Sequence, residues 1–156
     1  MTASPAKISK GRIHPRHHAR VAAMQVLFAL DVSDDLPEVV LERVSCMADI
    51  KADARELLQN LVDGVRSHQA MIDEKIRQAA PMWPMGQMAH VDKAIMRLAV
   101  YELFFVPEVP PKVVINEAVE LAKTYASDNA PRFINGVLGT IYERDVARQS
   151  EDSASV

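Results

Sequence analysis

The sequence is poor in the residues that staple, bend or anchor a chain. Cysteine occurs once, at Cys46, so no disulfide can close within the chain and a disulfide scaffold is excluded. A reducing, cytoplasmic setting is the default expectation that follows. Cys46 falls on an apolar helical face and reads as a buried, inert thiol. Five glycines are about half the usual share of ~7%. No uncharged apolar run approaches the ~20 residues that a membrane helix needs, and the stretch around Leu103–Val106 is far shorter. Residues 1–20 contain no apolar core, which excludes a secretory signal. Catalytic patterns are missing too. There is no G-x-G-x-x-G, no G-x-x-x-x-G-K-[ST] and no H-E-x-x-H, and neither C-x-x-C nor the E-x-x-H of di-iron bundles. His14 and His18 have the i, i+4 spacing of helical ligands but no carboxylate or thiol nearby to complete a metal site. The pairs Asp34–Asp35 and Asp73–Glu74 point to different faces of a helix, as caps or solvated surface. No enzyme activity, metal or cofactor is expected.

Acidic residues are missing from one region in particular. The chain has 156 residues, 18 basic and 21 acidic, and a formal net charge of −3. Its first 30 residues hold Lys7, Lys10, Arg12, Arg16 and Arg20, with His14, His17 and His18 among them, and not one Asp or Glu. The body that follows is therefore net acidic. A basic arm on an acidic body fits a polyanion partner, and it fits a solubilising tail equally well. Length sets a prior of one domain, and 49% hydrophobic with 25% charged residues excludes disorder of the whole chain.

What is abundant is helix-forming sequence. Prolines punctuate it at Pro15, Pro37, Pro81, Pro84, Pro107–Pro111 and Pro131. Ala19, Ala23, Leu27 and Leu30 repeat on one face of a helix that opens at Pro15. Asp34 or Asp35 is expected to cap a short helix bearing Val40, Val44 and Met47, and Asp53 the next, bearing Leu57, Leu58, Leu61, Val62 and Val65. Met71, Ile72, Ile76 and Ala79 lead to Pro81; Val91, Ile95, Leu98 and Ala99 open a helix that must stop before Pro107. Val114, Ala118, Leu121, Ala122 and Tyr125 form a clear stripe. Ser127, Asp128 or Asn129 caps a last helix carrying Ile134, Val137, Leu138 and Ile141. Gly136 within it suggests close backbone packing. The prediction is an all-α fold of about seven helices. Residues 15–148 form one domain, split into subbundles at about 15–80 and 87–148. A flexible basic extension covers 1–14 and a disordered tail 149–156.

The polyanion reading gathers further residues. Arg16 and Arg20 are neighbours on one helix, with Phe28 two turns beyond Arg20. Arg132 and Phe133 place a cation beside an aromatic at the start of the last helix, where free N–H groups also face anions. Cations for phosphate and an aromatic plane for a base are the elements of single-stranded RNA recognition. An aromatic at helical spacing is also ordinary core, so Phe28 and Phe133 carry both readings.

Three segments together resemble the NusB family of transcription antitermination factors. The first is Arg16-His17-His18-Ala19-Arg20 through Gln25-Val26-Leu27-Phe28. The second is Val91-Asp92-Lys93-Ala94 through Tyr101-Glu102-Leu103. The third joins Val114-Ile115-Asn116-Glu117-Ala118-Val119-Glu120-Leu121-Ala122-Lys123 to Phe133-Ile134-Asn135-Gly136-Val137-Leu138. Order and spacing agree from Arg16 to Leu138.

The resemblance implies a non-enzymatic, all-helical protein of two three-helix subdomains. It implies binding of boxA RNA as a single strand together with NusE, a small-subunit ribosomal protein. That complex joins NusA and NusG on RNA polymerase to suppress premature termination. By matching position, Arg16, His17, His18, Arg20, Phe28, Asn129 and Phe133 would face RNA, and Asp92 would lie where NusE and RNA meet. Arg132 joins the set from local chemistry alone. A homodimer is compatible with the resemblance; a membrane is not implied.

Two departures matter. His17 and His18 stand where the family often carries Arg or Lys, and histidine, with an unperturbed pKa of ~6.5, is only partly charged at pH 7. Residues 1–10 lie outside the matching motifs, and Lys7 and Lys10 there can add loose phosphate contacts. Three to five phosphate contacts correspond to a log–log salt slope of about −2 to −3.5, a modest affinity that a partner protein would extend. Two other readings compete: a helical protein–protein adaptor without RNA, and the NusB-like module of an RNA cytosine methyltransferase. The chain ends soon after its last helix, which favours a stand-alone factor over the second.

Overall fold

The computed structural model describes residues 14–148. Seven α-helices follow one another, with no strand among the described residues: α1 Pro15–Val32, α2 Pro37–Met47, α3 Ala52–Ser67, α4 Gln69–Ala79, α5 His90–Phe105, α6 Pro111–Tyr125 and α7 Ala130–Ile141. A short 3₁₀ turn, Met85–Gln87, precedes α5, and a π turn, Tyr142–Val146, prolongs α7. The expected extension lies outside the described residues except for His14, and so does the expected tail.

Proline sets the starts. Pro15, Pro37, Pro111 and Pro131 each occupy the first turn of a helix, where the missing N–H costs no bond. The expected acidic caps do not form. Leu36 stands at the N-cap of α2 and Lys51 at that of α3, while Asp53 accepts from the Ala54 N–H at 2.8 Å. Asn129 occupies the N-cap of α7 but its side chain makes no capping bond.

The end of α2 is more specific. Asp49 adopts the left-handed region at φ 51°, which Asp tolerates better than most residues. The Asp49 N–H then donates to Cys46 at 3.2 Å and the Ile50 N–H to Ser45 at 3.1 Å, the paired bonds of a Schellman turn. Ile50 is buried behind it.

Helices α1, α2 and α3 pack as one group and α5, α6 and α7 as another, joined through α5, which touches α1 and α3 as well. Residues 69–79, expected with the first half, lie instead against α5 and α7. Ile72 and Ile76 of α4 are fully buried there, and Asp73 holds Arg97 of α5 at 2.9 and 3.1 Å. One continuous apolar core runs through both groups, from Ala19 to Ile141. Each fully buried Leu or Ile, such as Leu58, Ile95 or Leu138, contributes roughly 1.5–3 kcal/mol through removal from water.

Two ionic clusters fix α1 on α5. Arg20, 4% exposed, donates from Nε and Nη2 to the two carboxylate oxygens of Glu102 at 2.8 and 2.9 Å. Toward the other end of α1, Asp31 receives His90 and Lys93, the latter at 3.0 Å, with Arg97 at 3.5 Å. Burial alone would raise the Asp31 carboxyl, but the bonds from His90 and Lys93 and the charges of Lys93 and Arg97 outweigh it and hold the group below its ordinary value.

Two expectations from the sequence are corrected. Gly136 is not a close-packing site: a Cβ there would meet nothing within 4 Å. Gly64 of α3 is the position that needs glycine, because a Cβ would run into the Tyr101 ring. Cys46 is exposed rather than buried. Its thiol donates to Glu42 at 3.3 Å, and that bond and the carboxylate charge push its pKa up.

Because buried Arg20 would lose both short bonds and keep only the longer contact to Glu117 at 3.6 Å, Glu102→Ala is expected to cost about 3 kcal/mol. Urea unfolding monitored by circular dichroism measures this; a loss below about 1 kcal/mol would mean that water reaches the pair.

Candidate nucleic-acid interface

Proline and histidine shape the start of α1. His14 Nδ1 accepts from the Arg16 N–H at 3.1 Å and caps the helix. Arg16 reaches the rim of a cleft between α3 and α5 lined by Leu57, Asn60, Tyr101 and Phe105. The two histidines that follow are tied inward. His17 Nδ1 pairs with Glu117 of α6 at 2.9 Å, with 45% of its side chain still exposed. His18 Nε2 donates to the Ala48 carbonyl at 3.1 Å, so the Schellman turn of α2 orients its ring.

Arg20 does not extend this row. The sequence placed it beside Arg16 as a phosphate-facing cation, but its guanidinium is buried between Glu102 and Glu117, the latter at 3.6 Å. The reason is geometric. Helix α1 packs against α5, its Ala19, Ala22 and Ala23 are fully buried, and Glu102 of α5 meets the arginine in that packed region. Arg20 is a structural residue.

Phe28 is 40% exposed, with its ring edge-on to His90 at 6.4 Å between centroids. It lies twelve residues beyond Arg16, about 18 Å along α1. His90 opens α5, and Asp92 is in the same first turn. That turn brings Phe28 close to a second group of residues. Asp92, Asn129 and Phe133 line one groove of about 300 Å³ together with Trp83, Gln87, Met88 and Ser127. Phe133 packs against the core on one side and meets Trp83 edge-on at 5.8 Å on the other. Arg132 is exposed on the next ridge, in a shallow groove that shares Trp83 and Phe133. Asp92 is half-buried. Its Oδ1 is enclosed and has no hydrogen-bond partner, and burial pushes its carboxyl above the ordinary value.

The candidate residues thus fall into two patches. Arg16, His17 and His18 stand at one end of α1. Asp92, Asn129, Arg132 and Phe133 gather where α5 and α7 begin, with Phe28 bordering them through His90. Sequence reasoning missed Trp83 and His90. Trp83 is the only tryptophan in the chain and sits in the proline-flanked break Pro81–Gly86, and that isolation was its one visible signal. Among the described residues no group of three or more His, Cys, Asp or Glu side chains is placed to hold a metal ion. No helix among them is long and apolar enough to cross a membrane.

Residues 17–143 match the NusB family. The chain belongs to that family. It is 47% identical over 136 residues to the transcription antitermination protein NusB of Chloroflexus aggregans, covering 86% of this chain and 91% of that one. The NusB protein of Bacillus thuringiensis is 41% identical over 127 residues, covering 81% and 95%. Among solved structures, NusB of T. maritima superposes with a TM-score of 0.81 at 30% identity, over 89% of this chain and 98% of that one. A NusB in complex with NusE and double-stranded RNA gives 0.76 at 33% identity, over 83% and 96%. The NusB fold is therefore that of this chain, including its all-α architecture.

If the α1 patch of this NusB family member meets phosphate, Arg16→Ala flattens the log–log salt slope of single-strand RNA binding by about 0.7, the share of one phosphate contact. Titrations at several salt concentrations read it directly, and an unchanged slope would turn Arg16 away from the strand.

Proposed function

We propose that this protein is a transcription antitermination factor. It binds boxA-type single-stranded RNA together with NusE, and acts with NusA and NusG on RNA polymerase, in the cytoplasm, to suppress premature termination, notably on ribosomal RNA operons. Its work is binding, not catalysis. The observation that carries this reading is the likeness to a NusB that was solved with NusE and RNA. Surface chemistry supports it. Cationic and titratable side chains stand at the start of α1, and half-exposed aromatic rings stand at the start of α7. Exposed rings suit unstacked bases better than a duplex, whose bases are already stacked on each other.

Arg16, His17, His18, Phe28, Asn129, Arg132 and Phe133 form the RNA-facing set of this proposal, with Asp92 at the edge shared with NusE. Arg20 supports the set from beneath. A strand engaging both patches makes few contacts in each, so a second protein that lengthens the site would raise the effective affinity.

Fluorescence anisotropy with a labelled boxA-like strand, a scrambled strand and a duplex tests the proposal, each titrated with and without NusE. The expected result is selective binding of the boxA strand that tightens severalfold with NusE. Equal binding of all three RNAs without any effect of NusE would overturn it in favour of a basic helical adaptor.

A further inference from the structure

Helix α3 carries no side chain at Gly64, and the Tyr101 ring of α5 lies in the space this leaves. Phe105, one turn further along α5, stacks beside Tyr101 with 5.4 Å between ring centroids, and His68 lies against Phe105 at 4.1 Å. The His68 Nδ1 is tied to the Gly64 carbonyl at 2.9 Å, so the three rings are held as one stack beside the cleft between α3 and α5. That cleft encloses about 490 Å³, and Phe105, which lines it, is 40% exposed.

The charge of the cleft is the opposite of what phosphate needs. Asp63 of α3 and Glu108 of the loop after α5 both line it and both are exposed. Asp63 accepts one bond, from the Gln59 side chain at 3.1 Å. The only cation in the lining is Arg16. An aromatic face with carboxylates beside it suits a cation, above all a guanidinium, which lies flat on a ring and donates from its edge.

Arg16 also marks where the chain arrives. Residues 1–13 lie outside the described residues. Their sequence holds Lys7, Lys10 and Arg12, no Asp or Glu, and the apolar Ile8 and Ile13. Arg12 precedes Arg16 by four residues, so even a fully extended chain keeps it within about 14 Å of a residue that lines the cleft.

We propose that residues 1–13 of this same chain dock in the cleft, with the Arg12 guanidinium on the Phe105 ring and bonded to the Asp63 and Glu108 carboxylates. Ile8 and Ile13 supply apolar side chains for Leu57 and Val106 of the lining. The tether favours this occupant over a separate molecule. A segment joined at His14 meets the cleft at an effective concentration in the millimolar range and forfeits no free translation in doing so. An RNA strand is disfavoured, because its phosphates would face Asp63 and Glu108. Cations held by these carboxylates are withdrawn from other anions, so the extension is a docked segment and not a loose basic arm. The inference goes beyond the RNA-binding reading and does not depend on it.

The test uses the full chain as Arg12→Lys, which keeps the charge and supplies a reactive amine, prepared as a mixture of isotope-labelled and unlabelled protein. A carbodiimide joins amines to carboxylates that touch them, and mass spectrometry maps the links. Links are expected within one chain, from residues 7, 10 and 12 to Asp63 and Glu108, at an initial rate that falls as salt rises. At the salt concentration that halves this rate, Phe105→Leu keeps apolar bulk but removes the ring face, and is expected to slow linking about two- to threefold. Phe105→Tyr keeps the ring and should keep the rate. Links spread evenly over other exposed carboxylates, such as Asp49 and Glu56, would mean an arm that docks nowhere and would overturn the proposal. So would links between labelled and unlabelled chains, which would give the cleft to a second copy, a rate indifferent to Phe105→Leu, or no links at all. No arm of the experiment contains RNA, so its outcome leaves the function proposed above untouched.

Discussion

The ion pair between Arg20 and Glu102 is the contact around which the rest is arranged. Two buried charges are tolerated only when each satisfies the other, and here both guanidinium–carboxylate bonds are short and enclosed. Ala19, Ala22 and Ala23 of the same helix are fully buried, small side chains that suit close helix packing. Asp31, some three turns along α1, repeats the tie with His90, Lys93 and Arg97. Fastened at two points, α1 has one orientation on α5. The side chains it presents outward inherit their places from charges that face inward.

The same fastening explains how a modest helical body can hold a spread-out set of candidate residues in place. Helix α5 touches helices of both groups, so the first turn of α5 stands at fixed distances from α1 and α7. Phe28, His90, Asp92 and Phe133 meet there from three different helices. None of them is placed by a loop. A binding surface built on packed helices keeps its shape without a ligand, which lowers the ordering cost when one arrives.

Much of this was legible in the sequence, for identifiable reasons. Helical periodicity and proline placement carry the fold, because both act within a few residues of where they are read. Pro15, Pro37, Pro111 and Pro131 open the helices that their positions suggest. What was not legible depends on the partner across the gap. Arg16 and Arg20 look alike at i and i+4, and only Glu102, on another helix, separates an outward cation from a buried one. Gly64 and Gly136 are both helical glycines, and only Tyr101 tells which one is needed. Asp34 and Asp53 look like caps, yet proline geometry begins α2 after Leu36 and Asp53 falls inside α3. Trp83 sits in a break without periodicity, so nothing local assigned it a neighbour.

The double fastening of α1 has a last consequence. Because α1 is an unbroken helix from Arg16 to Phe28, the distance between its two ends is a constant of the molecule. A strand gripped at both ends is measured as well as read. Lengthening or shortening it by one nucleotide between the grips changes nothing in either contact and yet puts them out of step. On the proposed reading the helix is the ruler of such a strand.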